Sequence, residues 1–265
     1  MIPTLPFARY GSLQITALIT AVGLAVCSRA ADDKKSGSSS SSKDAEPKHL
    51  QAARDLVKNV KLEDTSYKHG EPAVSWKSSD GARYESHTDC SGLIDALLIH
   101  CYSYDRDALK KWLGKKRPTA DCYHDKIVEE VGFTHVVNLK DAKPGDLLAV
   151  KYLARTDNTG HVMLVAGPPK KIDAAKPLIP DTEQWEVPVI DSSESGHGPS
   201  DTRHGKGKGS KDHDGLGEGI LRIYTHADGS VAGFTWSMLA VSEFKGPKDE
   251  HLVVGRLKPG YKPND

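Results

Sequence analysis

Two short segments of this 265-residue chain carry residue types that could form a cysteine hydrolase site. Cys90 and Ser91-Gly92 precede the apolar residues 93–94 and 96–99, and a helix N-terminus at Cys90 would stabilise a thiolate through its partial positive charge. His161 precedes the apolar run at residues 162–166, which is typical of a buried strand and would hold the imidazole at the edge of a core. If the fold brings Cys90 and His161 together, they would form a thiolate–imidazolium pair able to attack a carbonyl carbon.

A third polar residue could complete such a site. Asp191 follows the apolar pair Val189-Ile190 at the end of a predicted strand. A carboxylate that accepts a hydrogen bond from the second ring nitrogen of a histidine fixes its tautomer and stabilises the imidazolium. The alternative is that Asp191 is only a polar residue ending a strand, as aspartate often does. We predict Cys90 as the nucleophile, His161 as the general base and acid, and Asp191 as the residue that orients His161.

Three further residues are candidates for contacts with substrate or with the oxyanion of a tetrahedral intermediate. The hydroxyl of Tyr67 could donate to either, or its ring could be a half-buried aromatic group. Ser91 is small and adjacent to Cys90, which would let a substrate approach the thiol. His87 could be a rival base or a substrate contact, or simply a histidine in a loop. The backbone N–H of Cys90 is another candidate oxyanion donor.

The order of apolar patterns predicts the elements that must position these residues. Helical spacing predicts helices at residues 47–60, 90–101, 105–113 and 119–131. Strand patterns follow at residues 147–152, 161–166, 185–190, 220–225, 231–236 and 252–256, and Asp228-Gly229 marks a hairpin. Helices followed by strands indicate an α+β domain, in which an antiparallel sheet packs against a central helix that carries Cys90. The segment from Glu71 to Asp89 is predicted to be a polar loop.

Residues 192–219 lack any core pattern. They are rich in glycine and in lysine and arginine, and they contain His197, His204 and His213. The irregular spacing of these histidines matches no motif of metal ligands. The sequence therefore predicts a flexible surface loop, with no metal site, and gives no sign of a cofactor.

The cysteines that follow residue 30 leave the pairing of thiols open. There are three of them, and an odd number in an exported protein leaves at least one thiol free. Cys101 could pair with Cys122 and leave Cys90 free. Alternatively, all three could be reduced, with two of them buried as small apolar side chains.

The N-terminal residues have the pattern of an export signal. An early arginine, an apolar stretch and then Ser28-Arg29-Ala30 predict a secretory signal peptide over residues 1–30. The alternatives are a retained N-terminal anchor and lipidation at Cys27, which ends a segment similar to a lipoprotein box. Residues 31–46 are serine-rich without large apolar side chains and predict a disordered linker. A single folded domain is expected over residues 47–265, in a protein exported to the periplasm, the cell envelope or the medium.

The charge balance excludes two classes of partner. The chain has 36 basic and 36 acidic residues, and loss of the predicted signal would remove two arginines and no acid, leaving a net charge of −2. A nearly neutral domain has no overall field to attract nucleic acid or an anionic membrane. No later segment is apolar enough to span a bilayer. We therefore expect no nucleic-acid partner and no membrane span after signal removal.

Five segments, in this order, resemble the NlpC-type family of bacterial cell-wall cysteine peptidases, within the papain-like superfamily. They are Ala53, Leu56 and Tyr67, then Asp89-Cys90-Ser91-Gly92-Leu93, then Pro144-Gly145-Asp146-Leu147, then Gly160-His161-Val162, and finally Val189-Ile190-Asp191-Ser192. The resemblance covers about residues 50–193. It implies a papain-like fold with Cys90 as nucleophile, His161 as base, Asp191 as the third polar residue, and Tyr67 lining the active site.

The same resemblance implies a function. It indicates an exported cysteine hydrolase that cleaves amide bonds in peptidoglycan stem peptides through an acyl-enzyme. One alternative is an N-acetylmuramoyl amidase with the same three residues, cutting between the lactyl group of the sugar and the peptide. Another is a papain-like module that only binds partners, because the run Tyr67-Lys68-His69-Gly70 lacks the family's Tyr-x-Trp-Gly-Gly pattern.

Overall fold

The structure of the chain is a computed structural model that describes residues 45–77, 83–155, 157–205 and 211–263. The predicted signal peptide, the lipidation candidate Cys27 and nearly all of the predicted linker lie outside these residues. The described residues belong to one unit of the chain. Among their helices, none has the length and apolar character needed to cross a bilayer.

All the α-helices in the described part of the chain precede the main sheet. They are α1 (Lys48–Asn59), α2 (Cys90–Tyr102), α3 (Arg106–Leu113) and α4 (Ala120–Val128). Asp105 caps α3 by accepting a bond from the backbone N–H of Ala108, and Gly114 ends this helix in the left-handed region. The predicted helices are therefore confirmed to within one turn at each end.

The strands form a small sheet and a large one. The small sheet contains β1 (Thr65–Ser66), β2 (Ala73–Ser75) and β3 (Glu85–His87), in the order β1-β3-β2. The large sheet contains β4 (Phe133–His135), β5 (Leu147–Tyr152), β6 (Gly160–Val165), β7 (Lys170–Ile172), β8 (Glu183–Ser193), β9 (Gly215–Thr225), β10 (Val231–Thr235) and β11 (Glu250–Leu257). The predicted loop from Glu71 to Asp89 is thus corrected, since it includes β2 and β3.

The large sheet is antiparallel throughout its described pairs. Its order is β10-β9-β8-β6-β5-β11-β4, with β7 paired to β8. Strand β10 also contacts β11, although the two are not hydrogen-bonded neighbours, so the sheet curls. The prediction of an α+β domain with an antiparallel sheet is confirmed. The predicted hairpin at Asp228-Gly229 joins β9 to β10, with Gly229 at a φ of 87°.

Helix α2 packs on one face of this sheet, against β6 and β8. Leu93 and Leu97 of α2 share a core with Leu164 and Ile190, whereas Met163 belongs to a second core on the opposite face. Because successive residues of a strand point to opposite faces, a strand buried on both faces shows a continuous apolar run. This explains why residues 162–166 lack the alternation typical of a strand exposed on one side.

The prediction of a flexible surface loop over residues 192–219 is wrong at both ends and for the buried side chains between His197 and Arg203. β8 runs to Ser193 and pairs with β9 from Gly215 onward, which leaves a shorter connection. Within that connection His197, Asp201 and Arg203 are 3%, 3% and 1% exposed. The glycines that suggested a loop make room for these side chains: a Cβ on Gly217 would lie 2.4 Å from Nε of Arg203, and one on Gly219 would lie 2.3 Å from Oδ2 of Asp201.

The three cysteines in the described part of the chain are all free. Cys101 and Cys122 are therefore not paired in this structure, which corresponds to the alternative of three reduced thiols. Both are partly buried, and burial raises the pKa of Cys101 to about 11. Cys101 is consequently a poor nucleophile at neutral pH, since the thiolate is the reactive form.

Candidate active site

Cys90 is the first residue of α2 and is 5% exposed. The helix starts here because Asp89 is its N-cap: Oδ1 of Asp89 accepts a 2.7 Å bond from the backbone N–H of Gly92. Such a cap contributes about 1 kcal/mol to helix stability. The first N–H groups of a helix have no acceptor within the helix, so the backbone around Cys90 offers donors and partial positive charge at the thiol.

The residues that follow Cys90 support the turn into the helix. A Cβ on Gly92 would lie 2.2 Å from Oγ1 of Thr88, so glycine is required there to let the preceding strand approach the helix. Ser91 is 7% exposed, and its hydroxyl donates to Oδ1 of Asp89 at 3.2 Å. The hydroxyl of Ser91 is thus bound within the helix cap, and its contact with substrate or the oxyanion stays a prediction.

His161 is the second residue of β6, at the rim of the large sheet, and is 8% exposed. Its Nε2 donates to Oδ2 of Asp191 at 2.6 Å, which leaves Nδ1 for another partner. Gly160 precedes it with a φ of +145°, and a Cβ there would lie 1.9 Å from the carbonyl oxygen of Val150 on β5. The two strands therefore approach so closely at this point that only glycine fits, and this close approach fixes the position of the His161 backbone.

The charge state of His161 is set by its neighbours. Burial alone would lower its pKa, but the negative charge of Cys90, the hydrogen bond to Asp191 and a hydrogen bond to Cys90 outweigh burial and raise the pKa to about 10. The structure thus brings Cys90 and His161 into contact, as the sequence predicted. At neutral pH the imidazole beside a Cys90 thiolate is an imidazolium.

Asp191 lies on β8 and is fully buried. It accepts hydrogen bonds on both oxygens: Oδ2 from His161 and, at 3.0 Å, from Nε2 of His197, and Oδ1 from Nη2 of Arg203 at 2.8 Å. Burial would raise its pKa, but the charges of His197 and Arg203 and the bonds from both histidines hold the pKa well below its usual range. Asp191 is therefore a carboxylate that contacts His161, as predicted. It also contacts His197 and Arg203, which the sequence did not indicate as site residues.

Arg203 is held by a second buried carboxylate. Oδ1 of Asp201 accepts from Nε of Arg203 at 2.9 Å and Oδ2 accepts from Nη2 at 2.8 Å, a bidentate pair. Nη1 of Arg203 donates to the carbonyl oxygen of Gly215 at 3.2 Å. These contacts, led by the charge of Asp191, outweigh burial and raise the pKa of Arg203. The guanidinium thus anchors the connection between β8 and β9 to the residue that holds His161.

A cavity of about 250 Å³ opens beside His161. Its walls include Tyr67, Tyr152, His161, Trp236 and residues 193–197. The ring of Trp236 lies edge-on to that of His161, with centroids 5.4 Å apart. The cavity is large enough for a side chain or a short piece of peptide, and the imidazole forms part of its wall.

The negative charge of Cys90 also affects the pKa of two tyrosines that line this cavity. Burial, and then the negative charges of Cys90 and Asp89, raise the pKa of Tyr67. Burial, and then the charges of Glu250 and Cys90, raise the pKa of Tyr152. Both phenols therefore stay neutral and can donate an O–H. Tyr67 lines the cavity, in keeping with its predicted position, whereas the sequence places Tyr152 only in a strand.

His87 is not brought into this site. Its Nδ1 is 2.8 Å from the hydroxyl of Ser66 on the small sheet, and His87 does not line the cavity. This position does not support the prediction that His87 is a rival base or a substrate contact, because its Nδ1 is engaged with Ser66. The histidine that does line the cavity on this side is His69, whose Nδ1 lies 3.2 Å from Oδ2 of Asp89.

Sequence reasoning missed His197, Arg203, Tyr152 and Trp236. A glycine-rich and lysine-rich segment suggested solvent exposure for the first two, and the last two read as ordinary strand residues. One signal was present: a histidine, an aspartate and an arginine within seven residues, each a type that is seldom buried without a partner. Among the described residues, no group of three or more histidine, cysteine, aspartate or glutamate side chains has the arrangement of a metal site.

A larger cavity, of about 770 Å³, lies elsewhere on the domain. It is lined by His49, Tyr102 and Tyr104 together with residues 143–146 and 256–262. His49 is engaged there on both ring nitrogens, by the hydroxyl of Tyr102 at 2.5 Å and the carbonyl oxygen of Gly145 at 2.7 Å. None of Cys90, His161 and Asp191 lines this cavity, so size alone does not make it the candidate active site.

Comparisons with known proteins found one informative relative. The chain is 33% identical over 224 residues to "Uncharacterized protein R653" of Acanthamoeba polyphaga mimivirus, a match that covers 80% of this chain and 97% of the viral protein. No family model matches the chain. No solved structure matches it either.

Proposed function

We propose that this chain, which belongs to one family with the uncharacterized protein R653 of Acanthamoeba polyphaga mimivirus, is a cysteine hydrolase of amide bonds. The observation that carries the proposal is the buried relay from Cys90 through His161 to Asp191. Its imidazole has a pKa raised to about 10 beside the thiol, and its Nε2 donates to a carboxylate at 2.6 Å. Nucleophile, base and orienting carboxylate are the three roles that such chemistry requires.

In the first half of the reaction, the Cys90 thiolate attacks the carbonyl carbon of the scissile amide. The C–N bond breaks after a tetrahedral intermediate, whose oxyanion would accept from the backbone N–H of Cys90 and from a neutral phenol, that of Tyr67. His161 donates the proton from Nδ1 to the leaving amine. The products are a thioester on Cys90, a free amine and a neutral imidazole.

In the second half, His161 acts as the base. Formation of the thioester removes the negative charge of Cys90, which is the largest of the influences that raise the pKa of His161. The neutral imidazole can then take a proton from water, whose oxygen attacks the thioester carbonyl. The carboxylic acid leaves, and the thiolate–imidazolium pair is restored. Asp191 holds the ring in the same orientation through both halves.

We propose that the α+β domain is of the papain-like, NlpC type. Support comes from the arrangement of its parts: the cysteine at the start of a helix buried against an antiparallel sheet, and the histidine and aspartate on neighbouring strands of that sheet. For the substrate we propose peptide amide bonds in peptidoglycan stem peptides, and for the location, export under the direction of residues 1–30. Both rest on the motifs of the sequence.

The reactivity of the thiol tests the chemistry without a known substrate. We expect iodoacetamide at pH 6 to label Cys90 rapidly, because an adjacent imidazolium and the N-terminus of α2 both favour the reactive thiolate form. Cys101 is the internal control, since its raised pKa keeps it protonated at pH 6. Peptide mass mapping gives the rate at each site. Labelling of Cys90 no faster than that of Cys101 would favour a domain that only binds partners.

The substrate class is tested by digestion of purified peptidoglycan. Wild-type protein should release soluble muropeptides, the variant Cys90→Ala should release none, and Cys122→Ala, a free and partly buried cysteine elsewhere, should behave as wild type. Mass spectra of the products identify the new amino terminus and so distinguish cleavage within the stem peptide from cleavage at the lactyl group. Full release by Cys90→Ala would disprove the mechanism.

A further inference from the structure

His197 makes two hydrogen bonds that together define its charge. Its Nδ1 lies 3.0 Å from the carbonyl oxygen of Trp236, and its Nε2 lies 3.0 Å from Oδ2 of Asp191. A carbonyl oxygen and an ionised carboxylate can only accept hydrogen bonds. Both ring nitrogens must therefore donate, and an imidazole that donates from both nitrogens is an imidazolium.

The surroundings of His197 balance such a charge. The side chain is 3% exposed, and its backbone N–H donates to Oδ2 of Asp201 at 2.8 Å. The charged groups that meet it are the carboxylates of Asp191 and Asp201 and the cations Arg203 and His161, with Glu194 on the wall of the same cavity. Asp191 and Asp201 are two buried anions, and they are balanced by Arg203 and a second cation only if His197 is charged, because Cys90 and His161 are neutral as a pair whichever of them holds the proton. Buried charges persist when they are compensated in this way.

We propose that His197 is a positioning residue with a proton on both ring nitrogens, which shares Oδ2 of Asp191 with His161 and so limits how strongly the carboxylate stabilises the imidazolium of His161. Two cations bonded to one oxygen compete for its charge and repel each other, which favours release of a proton from the one that faces the substrate. The consequence for the rate rests on the proposed function, because it requires His161 to deliver a proton. The charge state of His197 does not depend on it.

The charge of His197 can be measured directly in the wild-type protein. Selective ¹⁵N labelling of the 12 histidines, with signals assigned from the spectra of the variants His161→Ala and His197→Gln, reports whether each ring nitrogen carries a proton. We expect both nitrogens of His197 to be protonated at pH 8. A single protonated nitrogen at that pH would overturn the proposal. The charge is measured on the wild-type protein, and the variants serve only to assign its signals.

The competition between the two histidines predicts an effect of known sign. In His197→Gln the amide can still donate to Asp191, but the positive charge is gone. Because a charge within hydrogen-bonding distance of a shared partner moves a titration by about one unit or more, we expect the loss of the His161 proton to move about one pH unit upward. A titration of His161 that stays in place or moves downward would contradict the proposal.

His204→Gln is the matched control. His204 lies in the same connection, but its side chain is partly exposed and its Nδ1 pairs with Oδ1 of Asp212 at 2.8 Å, outside the buried cluster. This variant should leave the His161 titration and the activity unchanged. On a cleaved substrate, His197→Gln should move the alkaline limb of kcat upward by about one pH unit and lower kcat at neutral pH, with KM unchanged.

The two proposals fail in different ways. If Cys90→Ala retained hydrolysis while His197 carried two ring protons at pH 8, the hydrolase mechanism would be wrong and the charge of His197 would stand. If hydrolysis required Cys90 but His197 carried one ring proton, only the role of His197 would be disproved. A uniform loss of kcat across pH in His197→Gln, without a shift of the limb, would indicate a merely structural residue.

Discussion

Replacing Asp191 by asparagine tests the relay at the point where its contacts converge. The carboxylate accepts from His161, His197 and Arg203, all of which are donors. Asparagine has one accepting oxygen and one NH₂ group, so at least one of these donors would face another donor. We expect Asp191→Asn to lose about 10⁴-fold in kcat, the loss typical when a triad aspartate becomes an amide and the histidine is left in the wrong tautomer.

Asp191→Asn should also lower the stability of the domain and the pKa of His161. Asp191 is fully buried, and removing one partner from a buried ionic cluster costs about 3–5 kcal/mol. Asp191 is one of the groups that raise the pKa of His161 to about 10, so this pKa should fall when the carboxylate is removed. Guanidinium unfolding measures the first effect, and the ¹⁵N titration of His161 measures the second.

Asp201→Asn is the control that separates stability from catalysis. Asp201 is also buried and also pairs with Arg203, but it has no contact with His161. This variant should lose a similar amount of stability while the pKa of His161 stays near 10 and kcat stays within about tenfold of wild type. An unchanged titration of His161 in Asp191→Asn, or equal losses of kcat in the two variants, would refute the relay.

Three further predictions follow from single contacts. Gly160→Ala should destabilise the domain by more than about 3 kcal/mol in chemical denaturation and displace His161, because the Cβ of the alanine would lie 1.9 Å from the carbonyl oxygen of Val150. A stable, active variant would contradict this geometry. Tyr67→Phe should lower kcat by about 10²-fold with little change in KM if its hydroxyl stabilises the oxyanion, and an unchanged kcat would exclude that role. Burial outweighs the hydrogen bonds that Asp95 accepts and raises its pKa to about 7, so the folded state binds the carboxyl proton more tightly than the unfolded state does. Wild type should therefore lose up to about 4 kcal/mol of stability relative to Asp95→Asn as pH rises from 4 to 7. Parallel curves of stability against pH for the two proteins in urea unfolding would refute this prediction.

The local features of the fold followed from the sequence because they depend on neighbours along the chain. The apolar spacing in α1 and the Asp105 cap and Gly114 stop of α3 each act within a few residues. The boundaries of β5 matched the prediction at both ends for the same reason. The strands β8 and β9 are longer than predicted, because all but one of their extra residues are glycines or polar groups, whose reason for being buried is not visible in the local pattern.

The residues of the candidate site likewise include some that local sequence patterns indicate and others that they do not. Cys90 and His161 stood out because each begins an apolar element, and Asp191 because it ends one. His87 was three residues from the cysteine in sequence, yet β3 directs it to Ser66. His197 and Arg203 looked like residues of a solvated loop, since lysines and glycines surround them in the chain.

The sequence by itself determined which residue types are available and which helices and strands carry them, because propensity, capping and apolar spacing are local properties. Only the tertiary structure decided that the hairpin of β8 and β9 would fold its connection inward and set His197 and Arg203 against Asp191. The physical reason is that a buried charge is stable only beside its compensating partners, and the whole cluster draws its residues from three separate parts of the chain, at Cys90, at His161 and at residues 191–203. No single segment contains the information that the cluster is buried, neutral as a whole and joined to His161.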